Sequence, residues 1–309
     1  MTITRYAINR LIAMIPTLII LTVLVFLMVQ LVPGDPAEIF LGEKRSTPEL
    51  LEQVRREVGL AQPLYVQYLS YMGNLLRGDM GQSLFNDQPV LDQILAALPY
   101  TLTLALSALL ISTVLGVSLG IVSALKHNTW IDTVSMGIAL IGVSMPVFWL
   151  GLLLILIFSV TLKWFPPMGQ GSLERLVLPA LTLGLLSSAT LARLVRSSML
   201  DVLSDDYIRT ARAKGLRKNA IVIRHALRNA LIPAVTVMGL QFGRIIIGPV
   251  ITETIFARIG LGRMYVESIL NKDITMIQGL TLVLAFVIML INIVVDLSYA
   301  ALDPRIRYE

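Results

Sequence analysis

Six stretches of this chain are apolar and so long that lipid, not water, is their natural solvent. They run at about Leu11 to Leu31, Thr101 to Leu125, Val134 to Leu162, Leu176 to Leu194, Leu231 to Ile251 and Ile274 to Leu302. A hydrocarbon core of about 30 Å is crossed by roughly 20 apolar residues in a helix. Inside lipid only helices and closed barrels satisfy every backbone polar group, and continuous rather than alternating apolar runs select helices. The expected class is all-α, a polytopic membrane protein with six transmembrane helices. Composition agrees, with 56% hydrophobic and 15% charged residues where soluble domains carry about 25% charged. The first run is longer than a secretory h-region and passes into Val32-Pro33-Gly34-Asp35-Pro36 without a small-x-small cleavage pattern. It is read as a retained helix.

Lysine and arginine accumulate on the cytoplasmic side of membrane segments. Arg5 and Arg10 precede the first run, Lys126 separates the second and third, and Arg305 and Arg307 follow the sixth. With six crossings these fall on one side, together with Arg209, Arg212, Lys214, Arg217, Lys218, Arg224 and Arg228 between runs four and five. Only Asp201, Asp205 and Asp206 oppose them there. Both termini are expected in the cytoplasm and residues 33–99 outside, where acidic side chains outnumber basic ones. Pro48 to Val58 and Tyr65 to Leu76 place apolar residues at helical spacing, as amphipathic helices at an interface or over the bundle do.

Several chemistries are excluded. No G-x-x-x-x-G-K-[ST] loop exists to cradle nucleotide phosphates and no H-E-x-x-H pair to bind zinc. Cysteine is absent, which removes disulfides, thiolate ligands and thiol nucleophiles together. The net charge of +5 is not gathered on a soluble domain, so nucleic acid is not expected as a partner. The chain is not expected to be an enzyme or to hold a cofactor or metal.

Within the runs, Gly116 and Gly120 form G-x-x-x-G, which lets helices pack closely; a gating hinge is the second reading. Pro146 lacks an N–H and should interrupt its helix, a break tolerated only beside protein or a water-lined cavity. Arg244 is a charge in an apolar run, and such charges face an interior or aqueous space. It either meets an anionic solute group in a cavity or pairs at a subunit interface. Asp296 is read as a structural partner.

The segment Asp206-Tyr207-Ile208-Arg209-Thr210-Ala211-Arg212-Ala213-Lys214-Gly215-Leu216, followed by His225-Ala226-Leu227-Arg228-Asn229-Ala230, closely resembles the conserved cytoplasmic loop of dipeptide/oligopeptide-type ABC transporter permeases. Against the broad importer pattern it keeps Ala211, Gly215 and Leu227, and departs with Arg209 and Thr210 for Glu-Ala, His225 for Ile and Arg228 for Pro. Pro16-Thr17, Val32 to Pro36, Gly59-Leu60, Gln62-Pro63-Leu64, Arg77 to Ser83, Glu253 to Phe256, Gly260 to Arg263 and Asp303 to Arg307 are similar to the family as well. Ile259 stands where the family usually has Pro. Gly142, Ser144, Pro146, Phe148 and Gly151 recur in it.

The resemblance implies a type I ABC importer transmembrane domain over residues 1–309, with an extracytoplasmic segment at 33–99 and a cytoplasmic coupling loop at 201–230. Its implied partners are a homologous second permease, two ATPase subunits that use ATP and Mg, an extracytoplasmic substrate-binding protein and the lipid bilayer of the bacterial inner membrane. It assigns ATPase coupling to Asp206, Tyr207, Arg209, Ala211, Arg212, Ala213, Lys214, Gly215, His225 and Asn229, with Ala211 and Ala213 as small surfaces for docking. A translocation path is expected near Ser144, Pro146, Phe148, Arg244 and Glu253. Peptides are the expected cargo, with glutathione, nickel complexes or oligosaccharides as alternatives. An ion-coupled secondary transporter and a membrane scaffold are the competing classes; the sequence shows neither the obvious repeat nor the acidic relay of the first, and the second would not need the coupling loop.

Overall fold

The computed structural model describes residues 3–31, 49, 52, 62–247 and 249–302. The side chains at 3–7, 240, 242, 244, 246, 247 and 298–302 are not described. The pattern expected over Pro48 to Val58, the motifs at Val32 to Pro36, Gly59-Leu60 and Asp303 to Arg307, and the charges at Arg305 and Arg307 lie outside the described residues. Among the described residues no strand occurs, only an isolated antiparallel bridge between Gln82 and Pro89.

The helices are α1 (Ile3–Leu31), α2 (Leu64–Leu76), α3 (Val90–Leu125), α4 (Trp130–Ser144) and α5 (Val147–Leu154), which continues as a π turn over Ile155–Thr161. After these come α6 (Glu174–Ser204), α7 (Asp206–Ala213) and α8 (Leu227–Ile247), the last entered through Lys218–Ala220 and a π turn over Ile221–Ala226. The chain ends in α9 (Pro249–Ile255), α10 (Leu261–Leu270) and α11 (Ile274–Leu302). Among the described residues, five helical stretches are long and apolar enough to cross a membrane, and six when the bent pair α4–α5 counts as one span.

The expected spans differ from the helices mainly at their ends. The second was expected from Thr101, yet α3 starts at Val90 and carries Pro99 inside it. At 1.5 Å per residue its 36 residues reach about 54 Å, well beyond the hydrocarbon core. The third run is not a continuous helix. Ser144 ends α4, Met145 and Pro146 are extended, and α5 leaves at 112°. Proline cannot donate the bond that would continue α4, and the residue before it is steered away from helical geometry. The sixth run and α11 share the same bounds.

The helices gather into two compact units, residues 1–99 with 260–309 and residues 100–259. In the first, α1 lies along α11: Gln278 donates to the Val25 carbonyl at 3.0 Å, and Arg10 pairs with Asp296 at 3.2 Å. Both bonds satisfy polar groups on otherwise apolar helices, where an unpaired one is costly. The helix α2 packs on α1 through Tyr68, whose hydroxyl meets Thr22 Oγ1 at 2.9 Å and whose ring lies 5.6 Å from that of Phe26. Asp273 caps α11 by accepting the Met276 amide, and it also accepts from Ser83 Oγ and the Leu84 amide. One buried carboxylate thereby fixes the loop before α3 to the start of α11.

In the second unit α6 is the common neighbour, packed against α4, α5, α8 and α9. Glycines set its approach to α3. A Cβ on Gly120 would lie 2.7 Å from the Ala192 carbonyl oxygen and from Val195 Cβ, and one on Gly184 would lie 2.7 Å from Ile111 Cγ2. The G-x-x-x-G pair is thus a packing surface, because only hydrogen at these positions lets the backbones come this close.

Candidate coupling segment and the broken helix

The segment after α6 is built to hold a short helix against the bundle. Ser204 ends α6, Asp205 alone is extended, and α7 begins at Asp206. The Asp205 carbonyl accepts from the amides of Ile208 and Arg209 at 3.1 and 3.2 Å. Asp206 lies in the first turn and Arg212 in the last, the arrangement the helix dipole favours. At the far end the Gly215 amide donates to the Arg212 carbonyl at 3.0 Å and the Leu216 amide to the Ala211 carbonyl at 3.3 Å. This is the paired closure of a Schellman motif, which needs a left-handed residue at its turn; Gly215 has φ +76°.

Only two side chains of α7 turn inward. Ile208 and Ala211 are buried in one apolar cluster with Ala124 of α3, Val195 and Met199 of α6, Ile221 and Val222 of the π turn and Ala226. Ala211 was expected to offer a docking surface to a partner. In the structure it is 7% exposed and faces its own chain, where its small size lets α7 lie close to α6. Asp206, Tyr207, Arg209, Arg212, Ala213, Lys214 and Gly215 are exposed. Tyr207 and Asn229 meet: the Asn229 amide donates to the Tyr207 hydroxyl at 2.8 Å, tying α7 to α8. His225 is half-buried on the π turn. The outer face is strongly basic, and the Arg209–Asp206 contact at 3.5 Å is too exposed to contribute much stability. Beside it a hollow of about 510 Å³ carries Arg212 and Lys218 on its lining, over Leu125, Leu216 and Ile221.

The residues expected on a path are not all together. Ser144, Pro146 and Phe148 are exposed at the α4–α5 break, with Ser144 Oγ returned to the Leu140 carbonyl at 2.9 Å. Glu253 is 1% exposed and accepts from Thr101 Oγ1 at 2.7 Å, a bond that ties α9 to α3. Its neighbour Arg258 is also buried; burial lowers the guanidinium below its ordinary range, and Glu253 partly offsets this. Arg244 lies on α8, and its side chain is outside the described residues. No group of three His, Cys, Asp or Glu residues among the described ones is placed to hold a metal.

Asp132 and Arg196 were missed from sequence. The third and fourth apolar runs stop short of them, at Val134 and Leu194, because charges lower an apolar window. The helices α4 and α6 carry straight through both positions.

Residues 116–308 match the family described as binding-protein-dependent transport system inner membrane component, and residues 3–105 match the N-terminal region of such membrane components. The chain belongs to this family. As a member it is an importer permease, an inner-membrane protein that crosses the bilayer several times, and a transport rather than a catalytic subunit. Among the family's curated members it is 45% identical, over 99% of both chains, to the glutathione transport system permease protein GsiC of Escherichia coli K12 and to that of Shigella dysenteriae serotype 1. Among solved structures, the inward-facing MetNI methionine ABC transporter matches with TM-score 0.59 and 18% identity, covering 68% of this chain and 96% of that one. An amino acid ABC transporter matches with TM-score 0.53 and 15% identity, covering 68% and 94%. The type I ABC importer transmembrane fold expected from the coupling-loop resemblance is the fold of this chain.

Proposed function

We propose that this permease works beside a homologous second permease, with two ATPase subunits on the cytoplasmic side and an extracytoplasmic binding protein that delivers solute. ATP and Mg are used by the ATPases. Peptides and related small solutes are the cargo, and glutathione, a modified tripeptide, is the first to test. The observation that carries this reading is 45% identity to a glutathione permease over 99% of both chains.

Both termini and residues 201–230 are cytoplasmic in this reading, and residues 33–99 are outside. The exposed face of α7, from Tyr207 to Gly215, is the surface that meets an ATPase. Its inward residues Ile208 and Ala211 pass displacement to α6 and α3. A ligand or nucleotide shifts a conformational equilibrium only through differential affinity for its states, and α7 is where that difference is applied. The break at Met145–Pro146 borders the path. Arg244 either meets the solute carboxylate or pairs across the permease interface, and Arg244→Gln decides: unchanged uptake with normal folding removes it from the path.

The test is reconstitution of the chain with its neighbouring permease, ATPases and binding protein in liposomes. ATP-dependent uptake of glutathione, dipeptide and longer peptide is measured with and without Gly215→Pro. Proline cannot adopt φ +76° and has no amide for the Arg212 carbonyl. Abolished uptake in an assembled complex supports the coupling role. Uptake driven by an ion gradient without ATPases overturns the importer reading.

A further inference from the structure

Asp132, 5% exposed in the first turn of α4, gathers donors from α6, α3 and the turn between α3 and α4. Arg196 of α6 grips it with Nε at 2.7 Å from Oδ1 and Nη2 at 2.8 Å from Oδ2. Ser123 of α3 donates to Oδ1, and the Asn128 amide donates to Oδ2 at 3.2 Å. These four bonds occupy the roughly four acceptor positions of a carboxylate. His127 Nδ1 stands 3.2 Å from Oδ2 and 3.0 Å from Arg196 Nη2. With the carboxylate already filled, it accepts from Arg196.

We infer that the Asp132–Arg196 pair is the link that makes α4 follow α6, so that displacement at the coupling segment reaches the helix break at Pro146. Asp132 and Arg196 are positioning residues of the transport cycle. This inference rests on the reading of α7 as the ATPase-facing helix.

Three placements support it. Val195 and Met199, which flank Arg196 on α6, and Ala124, next to Ser123 on α3, lie in the buried cluster that holds Ile208 and Ala211 of α7. The same two helices therefore carry the coupling helix through one set of residues and the Asp132 carboxylate through the next. From Asp132, α4 runs without interruption to Ser144, where the chain turns by 112°. Elsewhere the α4–α6 contact is apolar and non-directional: Ala139 lies against Ala189 and Ala192 with Met136 packed beside them, and Gly142 faces the Leu185 carbonyl. Apolar contacts of this kind resist separation more than sliding. A bidentate guanidinium–carboxylate pair fixes both distance and direction. A buried ion pair adds little net stability over apolar packing of the same shape; here it adds a fixed register between two helices.

The experiment uses the complete reconstituted importer and compares solute moved per ATP hydrolysed. Arg196→Lys keeps the charge and loses the fork; Asp132→Asn keeps the shape and loses the charge. The expected result for each is an assembled complex that hydrolyses ATP within twofold of the native rate but moves at least tenfold less solute per ATP. The double variant Asp132→Asn/Arg196→Gln is expected to be no worse than either alone. Uptake and hydrolysis falling in the same proportion, with the amount of assembled complex, assign a purely structural role and overturn the inference.

A second measurement does not require the ion-pair variants to fold. The chain has no cysteine, so spin labels at Ile138→Cys on α4 and Ser197→Cys on α6, both exposed positions, are unique within it. The expected α4–α6 distance is the same with and without ATP. A change on ATP binding means that α4 slides on α6 and overturns the inference. Absence of ATP-dependent uptake by the native set removes the coupling reading itself, and is seen before any variant is made.

Discussion

Replacing Gly215 by alanine isolates one backbone angle. A Cβ at this position meets nothing within 4 Å, so no steric clash enters and the whole cost comes from φ +76°. The left-handed conformation costs an L-residue about 1–2 kcal/mol. Loss of glycine's freedom in the unfolded chain returns about 0.4–1 kcal/mol. The balance lies within about 0–1.6 kcal/mol and is centred at about 0.8 kcal/mol, a roughly fourfold shift towards the open form of the turn at RT ≈ 0.59 kcal/mol. Amide exchange reads this directly. The Leu216 amide, bonded to the Ala211 carbonyl, should exchange faster by that factor, while amides in the middle of α6 keep their rates. Asparagine reaches the left-handed region more readily and should fall between glycine and alanine; proline should be the most damaging. Unchanged exchange in the alanine variant, or asparagine as harmful as alanine, refutes the argument, because either result means that φ is not what holds the turn.

The packing of α3 on α6 predicts that Gly120→Ala lowers thermal stability in detergent by about 1–3 kcal/mol, as overpacking does, since its Cβ would meet backbone at 2.7 Å. Gly137→Ala on α4, with nothing within 4 Å, should instead gain up to about 1 kcal/mol from helix propensity; equal effects at both sites would contradict the close approach. Tyr71 has a buried hydroxyl without a hydrogen-bond partner. Burial, and then Tyr68, pushes its phenol up to about 12, so it stays neutral through physiological pH. Tyr71→Phe should leave stability unchanged or raise it by about 1 kcal/mol, and a clear loss in thermal unfolding would reveal a bond made by that hydroxyl. Asp273→Ala removes a helix cap and two further bonds; a loss of about 2–3 kcal/mol is expected, with faster proteolysis in the loop at 79–89.

Helix class and approximate span positions were legible because a run of apolar residues has few other uses in a chain of this composition. Helix ends were less so. Windows that exclude charge stop short of Asp132 and Arg196, yet two opposite charges on neighbouring helices can lie within apolar surroundings once each neutralises the other. Pro99 reads as a boundary and is not one, since α3 continues through it, whereas Pro146 reads as a break and is one. Within the coupling segment the turn at Gly215 was readable from residue type. The inward orientation of Ala211 was not, because an alanine suits a tight internal contact and an external docking face equally well.

The join between α6 and α7 is a single residue. Asp205 alone is extended between two helices, and α7, with 8 residues, is about 12 Å long. Such a helix is a short lever on one swivel: a rotation of roughly 10° about the Asp205 torsions carries its far end about 2 Å. That is comparable with the clearance separating a packed side chain from a clash. Small angular errors at the swivel therefore become mismatched surfaces at the tip. The bond from Asn229 to Tyr207 holds the helix near the swivel, and the burial of Ile208 and Ala211 restrains it further along.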